Sequence, residues 1–226
     1  MHPLENVIWT ALTTRQAHFG ESFGNASRFV REVTLLSGFA EASSEGYRSL
    51  ARLAGPGGTN AVFLDSPYEP QDGWSWVAGA PLLQMVCERT VASNGSAHDI
   101  VELGTQDSPE MLELTSLTKP GPFGPRTHEL GTYVGLRRDG KLVAMAGERL
   151  KVPGYTEVSA VCTHPDYAGK GYAAILMSEV MRHILTRGET PFLHVRQDNT
   201  RAVALYARLG FRERKLMHFA VLRRSA

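Results

Sequence analysis

The chain has 226 residues, of which 42% are hydrophobic and 21% charged, proportions typical of a globular protein with its own core. Its formal net charge is +1, so no global basic field would attract nucleic acid or a lipid surface, and neither is expected as a partner. The two cysteines, Cys87 and Cys162, are too few for a disulfide framework and lack zinc-ligand spacing, which predicts a reducing compartment and no metal.

Membrane and export signals are not expected from the sequence. No uninterrupted run of about 18 apolar residues occurs, so no membrane span is predicted. Residues 1–7 lack the basic stretch and apolar run of a signal peptide. We therefore expect a cytoplasmic protein.

A short polar segment at 93–96 divides the chain into two halves, because glycine and small polar residues favour a turn or linker. We predict an N-terminal α/β region at 1–97 and a second domain at 98–226. In the first region, apolar spacing predicts helices over 28–38 and 44–54. Strands are predicted there at 60–64 and 82–87.

The second half alternates strands with helices. Its predicted strands are 99–103, 132–136, 142–146, 157–163, 192–195 and 211–222. Its predicted helices are 109–117, 173–187 and 200–209. An Asp-Gly pair at 139–140 predicts a hairpin turn. The alternation indicates an α/β layered fold.

Residues 161–173 form the most informative segment, because a strand and a short turn lead into two glycines that open a helix. Backbone N–H groups at a helix start are unpaired and carry partial positive charge. Gly169 and Gly171 would let a phosphate approach these groups closely. The segment predicts either a phosphate cradle, with Lys170 as a local cation, or a tight turn without a ligand. The dinucleotide-binding and P-loop spacings are not met.

Two stretches resemble motifs of the GNAT superfamily of N-acetyltransferases. Residues 168–173 resemble motif A, except that Ala168 stands where arginine or glutamine is usual. Residues 199–211 match every named position of motif B, Asn-x-x-Ala-x-x-Leu-Tyr-x-x-x-Gly-Phe. The resemblance covers 98–223 and implies a mixed, mostly antiparallel, twisted sheet flanked by helices. It also implies acetyl-CoA as the acyl donor and a primary amine as the acceptor. For the N-terminal region our hypothesis is a degenerate copy of the same fold.

The resemblance implies two catalytic residues. Tyr206 would protonate the departing CoA thiolate, and the alternative is an aromatic packed on the inner face of its helix. Glu157 would deprotonate the amine, directly or through water. By the two-residue period of a strand, Glu157 would share a face with Ser159, Val161 and Thr163. The alternative for Glu157 is a solvent-facing strand residue.

The resemblance also implies that the coenzyme contacts one strand and the glycine turn. In the family this strand splays from its neighbour, so the Val161 N–H would polarise the thioester carbonyl, while the Cys162 side chain points into the core. Asn199 would contact the pantetheine arm, cap its helix, or do both. The residues expected to bind the coenzyme are Val161, Cys162, Thr163, Ala168, Gly169, Lys170, Gly171, Tyr172, Ala173, Asn199, Ala202 and Tyr206.

The sequence does not identify the acceptor, which is either a small-molecule amine or a peptide amine. A homodimer is compatible with the sequence as well. The loop at 120–125 occupies the acceptor-covering position of the family, and the aromatic residues Trp74, Trp76 and Tyr155 are further candidates. Two other functions are weighed against catalysis. One is a non-catalytic acyl-CoA-binding sensor or scaffold. The other is a nucleotide-binding enzyme, for which a second acidic or magnesium-binding motif is missing.

Overall fold

The computed structural model describes residues 2–88 and 99–226. The polar segment at 93–96 and the boundary between 97 and 98 lie outside the described residues, so the division into two domains stays a prediction. Within the two described ranges, no helix combines the length and the apolar character needed to cross a bilayer.

The described residues form eleven strands and five α-helices. The strands are β1 (Gly20–Phe23), β2 (Ala26–Phe29), β3 (Ser37–Phe39), β4 (Thr59–Leu64), β5 (Trp74–Val86), β6 (Ile100–Leu103), β7 (Tyr133–Arg138), β8 (Lys141–Val152), β9 (Tyr155–Thr163), β10 (Thr190–Arg196) and β11 (Arg212–Arg224). The helices are α1 (Val7–Thr13), α2 (Ser44–Ala54), α3 (Ser108–Thr118), α4 (Tyr172–Thr186) and α5 (Thr200–Arg208).

An eight-stranded sheet with the order β4-β11-β5-β10-β9-β8-β7-β6 is the main layer. Its pairs are antiparallel except for β9 with β10, which confirms the predicted mixed and mostly antiparallel sheet. β5 comes from the first region of the chain and lies between β10 and β11 of the second. A smaller antiparallel sheet holds β1, β2 and β3.

The predicted helix at 28–38 is wrong, whereas the one at 44–54 is confirmed as α2. Residues 28–38 form the end of β2, a turn and most of β3. Their apolar residues Phe29, Val33 and Leu36 are buried in a cluster around α1. The strand-turn-strand path therefore buries residues whose spacing in the sequence resembles that of one helix face. α1 was not predicted, because it has only seven residues and no side-chain N-cap.

The elements predicted from residue 99 onward are all present, although β8 runs well past its predicted end. α4 packs against the sheet through Leu176, Val180 and Ile184, which are fully buried. Each such side chain stabilises the fold by about 1.5–3 kcal/mol relative to exposure. α3 covers the opposite face with Met111 and Leu114. The sheet is therefore held between two helical layers.

A bulge in β9 changes which residues share a face. Ala160 has a φ of 51°, and the register with β8 shifts between Ser159 and Cys162. Val158 and Val161, three positions apart, consequently pack against the same cluster under α4. The predicted common face of Glu157 with Val161 is therefore wrong, because the bulge interrupts the two-residue period.

β9 and β10 separate just before the bulge. Their parallel pairing covers only Tyr155–Glu157 opposite Thr190–Phe192. The His164 N–H donates to Val143 O on β8 at 2.8 Å, and N–H directions alternate along a strand. The N–H groups of Val161 and Thr163 therefore point toward the gap between β9 and β10, as the resemblance implies.

We predict that the stability of variants at Ala160 will depend on how easily the new residue adopts a positive φ. Glycine adopts positive φ without the penalty of about 1–2 kcal/mol that an L-residue meets there, so Ala160→Gly should unfold at the wild-type urea concentration or slightly above it. Ala160→Val adds a β-branched side chain at a positive φ, and a loss of about 1–3 kcal/mol is expected. Equal urea midpoints for the two variants would contradict the strained bulge.

Candidate active site

A cavity of about 630 Å³ lies where β9 and β10 diverge. Five residues predicted to contact the coenzyme line it, namely Val161, Cys162, Thr163, Asn199 and Tyr206. The glycine turn lies outside this cavity, at the start of α4. The structure thus brings the strand and motif B residues together and places the glycine turn as a separate element of the site.

The glycine turn presents an open cradle. Gly169 and Gly171 have φ values of 82° and 80°, and a Cβ built on either would meet no atom within 4 Å. The Ala168 N–H donates to Pro165 O at 3.0 Å, so this amide is already used. Lys170 places its Nζ 4.8 Å from the ring centroid of Tyr167. The turn fits a diphosphate, because two glycines precede a helix start, where backbone N–H groups have no acceptor within the helix itself.

Tyr206 lies on α5, and its packing agrees with one of its two interpretations, an aromatic on the inner face of the helix. It packs against the cluster under α4, with its ring 6.2 Å from that of Phe211, and it also lines the cavity. Burial raises the pKa of the phenol to about 12. Tyr206 therefore stays protonated at neutral pH and can donate its hydrogen to a ligand.

Asn199 caps α5, as one of its two predicted interpretations requires. Its Oδ1 accepts a hydrogen bond from the Ala202 N–H at 3.2 Å. The Ala202 amide is therefore used within the helix cap. The Asn199 Nδ2 donates no hydrogen bond to a described residue and lies at the cavity, so the amide group could still contact a ligand.

Glu157 is fully buried, which corrects the alternative of a solvent-facing residue. Its carboxylate accepts from Arg149 Nε at 2.9 Å and from Arg149 Nη2 at 2.8 Å, and from the Leu150 N–H at 3.3 Å. Burial alone would raise the pKa of Glu157, but the charge and hydrogen bonds of Arg149, helped by His194, hold it at about 2. Glu157 is thus ionised at neutral pH.

His194 connects Glu157 to β5 and β11. Its Nδ1 lies 2.7 Å from Glu157 Oε1, and an ionised carboxylate only accepts, so Nδ1 carries the hydrogen. Gln84 Oε1 accepts from Arg214 Nη1 at 2.7 Å, which turns Gln84 Nε2 toward His194 Nε2 at 3.1 Å. The Nε2 atom then accepts, so this network assigns His194 as a neutral imidazole.

The predicted acceptor loop also contributes to the lining of the cavity. Pro120, Gly121 and Pro122 line the cavity, whereas Phe123 packs edge to face on Tyr133 at 5.8 Å. Further residues that line the cavity are Leu36, Phe63, Leu82, Lys119, Arg149 and Phe219.

The three aromatic residues suggested as acceptor contacts do not line the cavity. Trp74 is buried, and its indole N–H donates to Tyr47 O at 3.2 Å. Trp76 is 57% exposed on β5. Tyr155 lines a different cavity, beside His2.

Arg149 and His194 were not assigned roles from the sequence. The signal for Arg149 was the charged pair Glu148-Arg149 between apolar residues of a strand, since buried charges are kept only when they are paired. The strand predicted from the sequence ends at 146, which leaves this pair outside it, whereas β8 continues to Val152. His194 offered no pattern of its own.

A family model described as FR47-like protein matches residues 133–220. A solved structure from Novosphingobium aromaticivorans DSM 12444, described as an acetyltransferase from the GNAT family, covers 100% of both chains with 37% identity and a TM-score of 0.92. A GCN5-related N-acetyltransferase from Kribbella flavida covers 97% of this chain and 96% of its own, with 16% identity and a TM-score of 0.60. The latter likeness concerns the fold alone.

A curated relative supports the same part of the chain. The N-alpha-acetyltransferase RimI of Mycobacterium tuberculosis is 40% identical over 82 residues, which are 35% of this chain and 51% of that protein. The match thus spans about half the length of this relative.

We predict that Gly171→Ala will weaken acetyl-CoA binding about tenfold or more, because a methyl group would enter the space that a phosphate needs. Gly188→Ala is the matched control, since Gly188 ends the same helix with a φ of 73° and no atom within 4 Å of an added Cβ. Both variants should lose about 1–2 kcal/mol of stability from backbone strain. Calorimetry that gave the two variants the same dissociation constant would exclude the glycine cradle.

We predict that Glu157→Gln will cost about 3–5 kcal/mol at neutral pH, because it leaves Arg149 buried without a counter-charge. Glu179→Gln is the control: the pKa of Glu179 is also held at about 2, but its partner Arg182 is exposed, and a loss below about 1 kcal/mol is expected. The folded pKa of Glu157 lies below its ordinary value of 4.5. The stabilisation is therefore complete above pH 4.5 and is lost as the pH falls toward 2. Urea unfolding between pH 7 and pH 3 measures this.

Proposed function

The chain belongs to the GNAT superfamily of N-acetyltransferases, and we propose that it moves an acetyl group from acetyl-CoA to a primary amine by direct attack in a ternary complex. One observation carries this proposal. Val161 and Thr163 of β9, Tyr206 and Asn199 all line one cavity, and the loop residues 120–122 line the same cavity.

The donor would be held by backbone groups from two elements. The amides that follow Ala168, up to the first turn of α4, would bind the diphosphate, with Lys170 beside them. The pantetheine arm would lie in the gap along β9, where the N–H groups of Val161 and Thr163 are directed. Acetyl-CoA supplies an activated thioester, and the Val161 N–H would stabilise the oxyanion formed from its carbonyl by about 2.7–4 kcal/mol.

In the proposed reaction the neutral amine attacks the thioester carbon, so a C–N bond forms and the C–S bond breaks. The amine nitrogen loses its proton to solvent, and the sulfur leaves as a thiolate. Tyr206 donates its hydrogen toward this sulfur. A phenol of pKa about 12 is a weaker acid than a thiol, whose pKa is ordinarily about 8.5. Tyr206 would therefore stabilise the thiolate mainly through a hydrogen bond.

For Glu157 we propose a positioning role in place of the base predicted from the sequence. A carboxylate of pKa about 2 that already accepts bonds from Arg149, Leu150 and His194 is a poor acceptor for an ammonium proton. Its geometry instead fixes the guanidinium of Arg149 at the wall of the cavity. The acceptor would enter as the free amine, which makes the rate depend on the amine's own ionisation.

We predict that kcat/KM will rise with pH up to the pKa of the amine and will not fall again below pH 10. The reason is that Tyr206 loses its proton only as the pH passes about 12. Tyr206→Phe should lower kcat by about 10²-fold without abolishing turnover. Tyr155→Phe, on β9 but outside the cavity, is the control and should leave kcat unchanged. Release of free thiol measures the turnover of all three proteins, and undiminished turnover in Tyr206→Phe would contradict the proposed hydrogen bond to the thiolate.

A non-catalytic acyl-CoA sensor is the second candidate. The observation that favours it is Ala168, which lacks the long polar side chain usual in motif A and whose amide is bonded to Pro165. Tight binding of acetyl-CoA without thiol release on amino acids, polyamines, aminoglycosides or peptides would support the sensor and contradict catalysis.

A further inference from the structure

The guanidinium of Arg149 has a second edge that no described residue uses. A guanidinium carries five N–H donors in a rigid plane and can bind one carboxylate through Nε and Nη2 and another through Nη1 and Nη2. Glu157 occupies the first edge with two bonds. Within residues 2–88 and 99–226, Nη1 donates to no group.

This free edge belongs to a side chain at the cavity wall. Arg149 lines the cavity although its side chain is only 9% exposed. A Cβ built on Gly121 would stand 3.9 Å from Arg149 Nη1, and Gly121 has a φ of 139°. The acceptor loop therefore passes close to Nη1 at a position without a side chain. The pairing with Glu157 prevents the guanidinium from rotating away.

The charges around the cavity favour an acceptor that carries an anion. Lys119, at the end of α3, also lines the cavity and makes no ion pair with a described residue. No aspartate or glutamate is found among the described residues that line it. An acceptor with several cationic groups would meet no opposite charge there.

Part of the cavity lining is apolar. Leu36, Phe63, Leu82 and Phe219 line it, and the Phe63 and Phe219 rings stand 6.1 Å apart in an edge contact. An apolar substituent of the acceptor would be buried against these side chains. Specificity would thus come from one charged fork and one hydrophobic wall.

We propose that the acceptor is a free amino acid with an apolar side chain, whose carboxylate binds the Nη1–Nη2 edge of Arg149. This assignment rests on the proposed function, since it names the substrate class of that reaction. Glu157 fixes the fork, Gly121 leaves room above it, and the apolar wall receives the side chain. Arg149 is therefore the residue that would distinguish an amino acid from a plain amine.

The wild-type protein tests this without any substitution. L-phenylalanine and phenethylamine differ by the carboxylate alone, as do L-leucine and isopentylamine. We expect kcat/KM to be at least about 100-fold higher for each amino acid than for its amine. Phenylalanine amide and a peptide with N-terminal phenylalanine form the third arm, and both should resemble the amines.

Arg149→Lys tests the fork itself. Lysine keeps the charge beside Glu157 but lacks the second edge, so the preference for phenylalanine over phenethylamine should fall at least about tenfold, mainly through KM. Arg187→Lys is the matched control, because Arg187 pairs with the buried Glu148 at 2.7 Å and is absent from the cavity lining. Its preference should equal that of the wild type. If Arg149 had a purely structural role, Arg149→Lys would lower kcat/KM equally for phenylalanine and for phenethylamine.

The outcomes separate this assignment from the proposed function. If phenethylamine or the peptide is acetylated as efficiently as phenylalanine, the carboxylate site is wrong while N-acetyl transfer stands. If polyamines are preferred, the charge argument is wrong as well. If no amine is acetylated although acetyl-CoA binds, the proposed function fails, and the acceptor assignment falls with it.

Discussion

The ion pair of Glu157 with Arg149 is the constraint on which the site depends. Glu157 ends the short parallel pairing of β9 with β10, and its carboxylate also holds His194 of β10. Through Gln84 and Arg214 the same network reaches β5 and β11. A buried charge costs several kcal/mol unless its hydrogen bonds are satisfied. The network therefore holds five strands in place where the sheet opens.

The gap and the network have complementary roles. Where β9 leaves β10, backbone amides lose their strand partners and become available to a ligand. The neighbouring side chains are held rigidly, so the opening is a fixed cavity instead of a frayed edge. Burial keeps the Tyr206 phenol neutral, while the paired carboxylate remains charged. One site thus combines a permanent donor with a fixed cation.

Local patterns predicted much of this protein, and long-range packing accounts for the rest. The Asp-Gly turn, the apolar stripe of α4 and motif B depend on neighbouring residues, so the hairpin, the helix and Tyr206 were recognised. The bulge at Ala160 was not, because nothing local marks an alanine with positive φ. The role of Arg149 is not visible in local sequence either, because its partner Glu157 lies on another strand. The helix predicted over residues 28–38 is wrong because tertiary contacts, and not a helical period, determine which of these residues are buried.

The position of β5 has a consequence for how the chain acquires its structure. β10 and β11 are close in sequence but never pair, because β5 lies between them and bonds to both. β5 must therefore wait with both edges open until β10 and β11, which follow much later in the chain, leave the ribosome. Such distant pairings slow folding, and open edges invite aggregation. The nascent chain should accordingly depend more on chaperones before β11 emerges than after it.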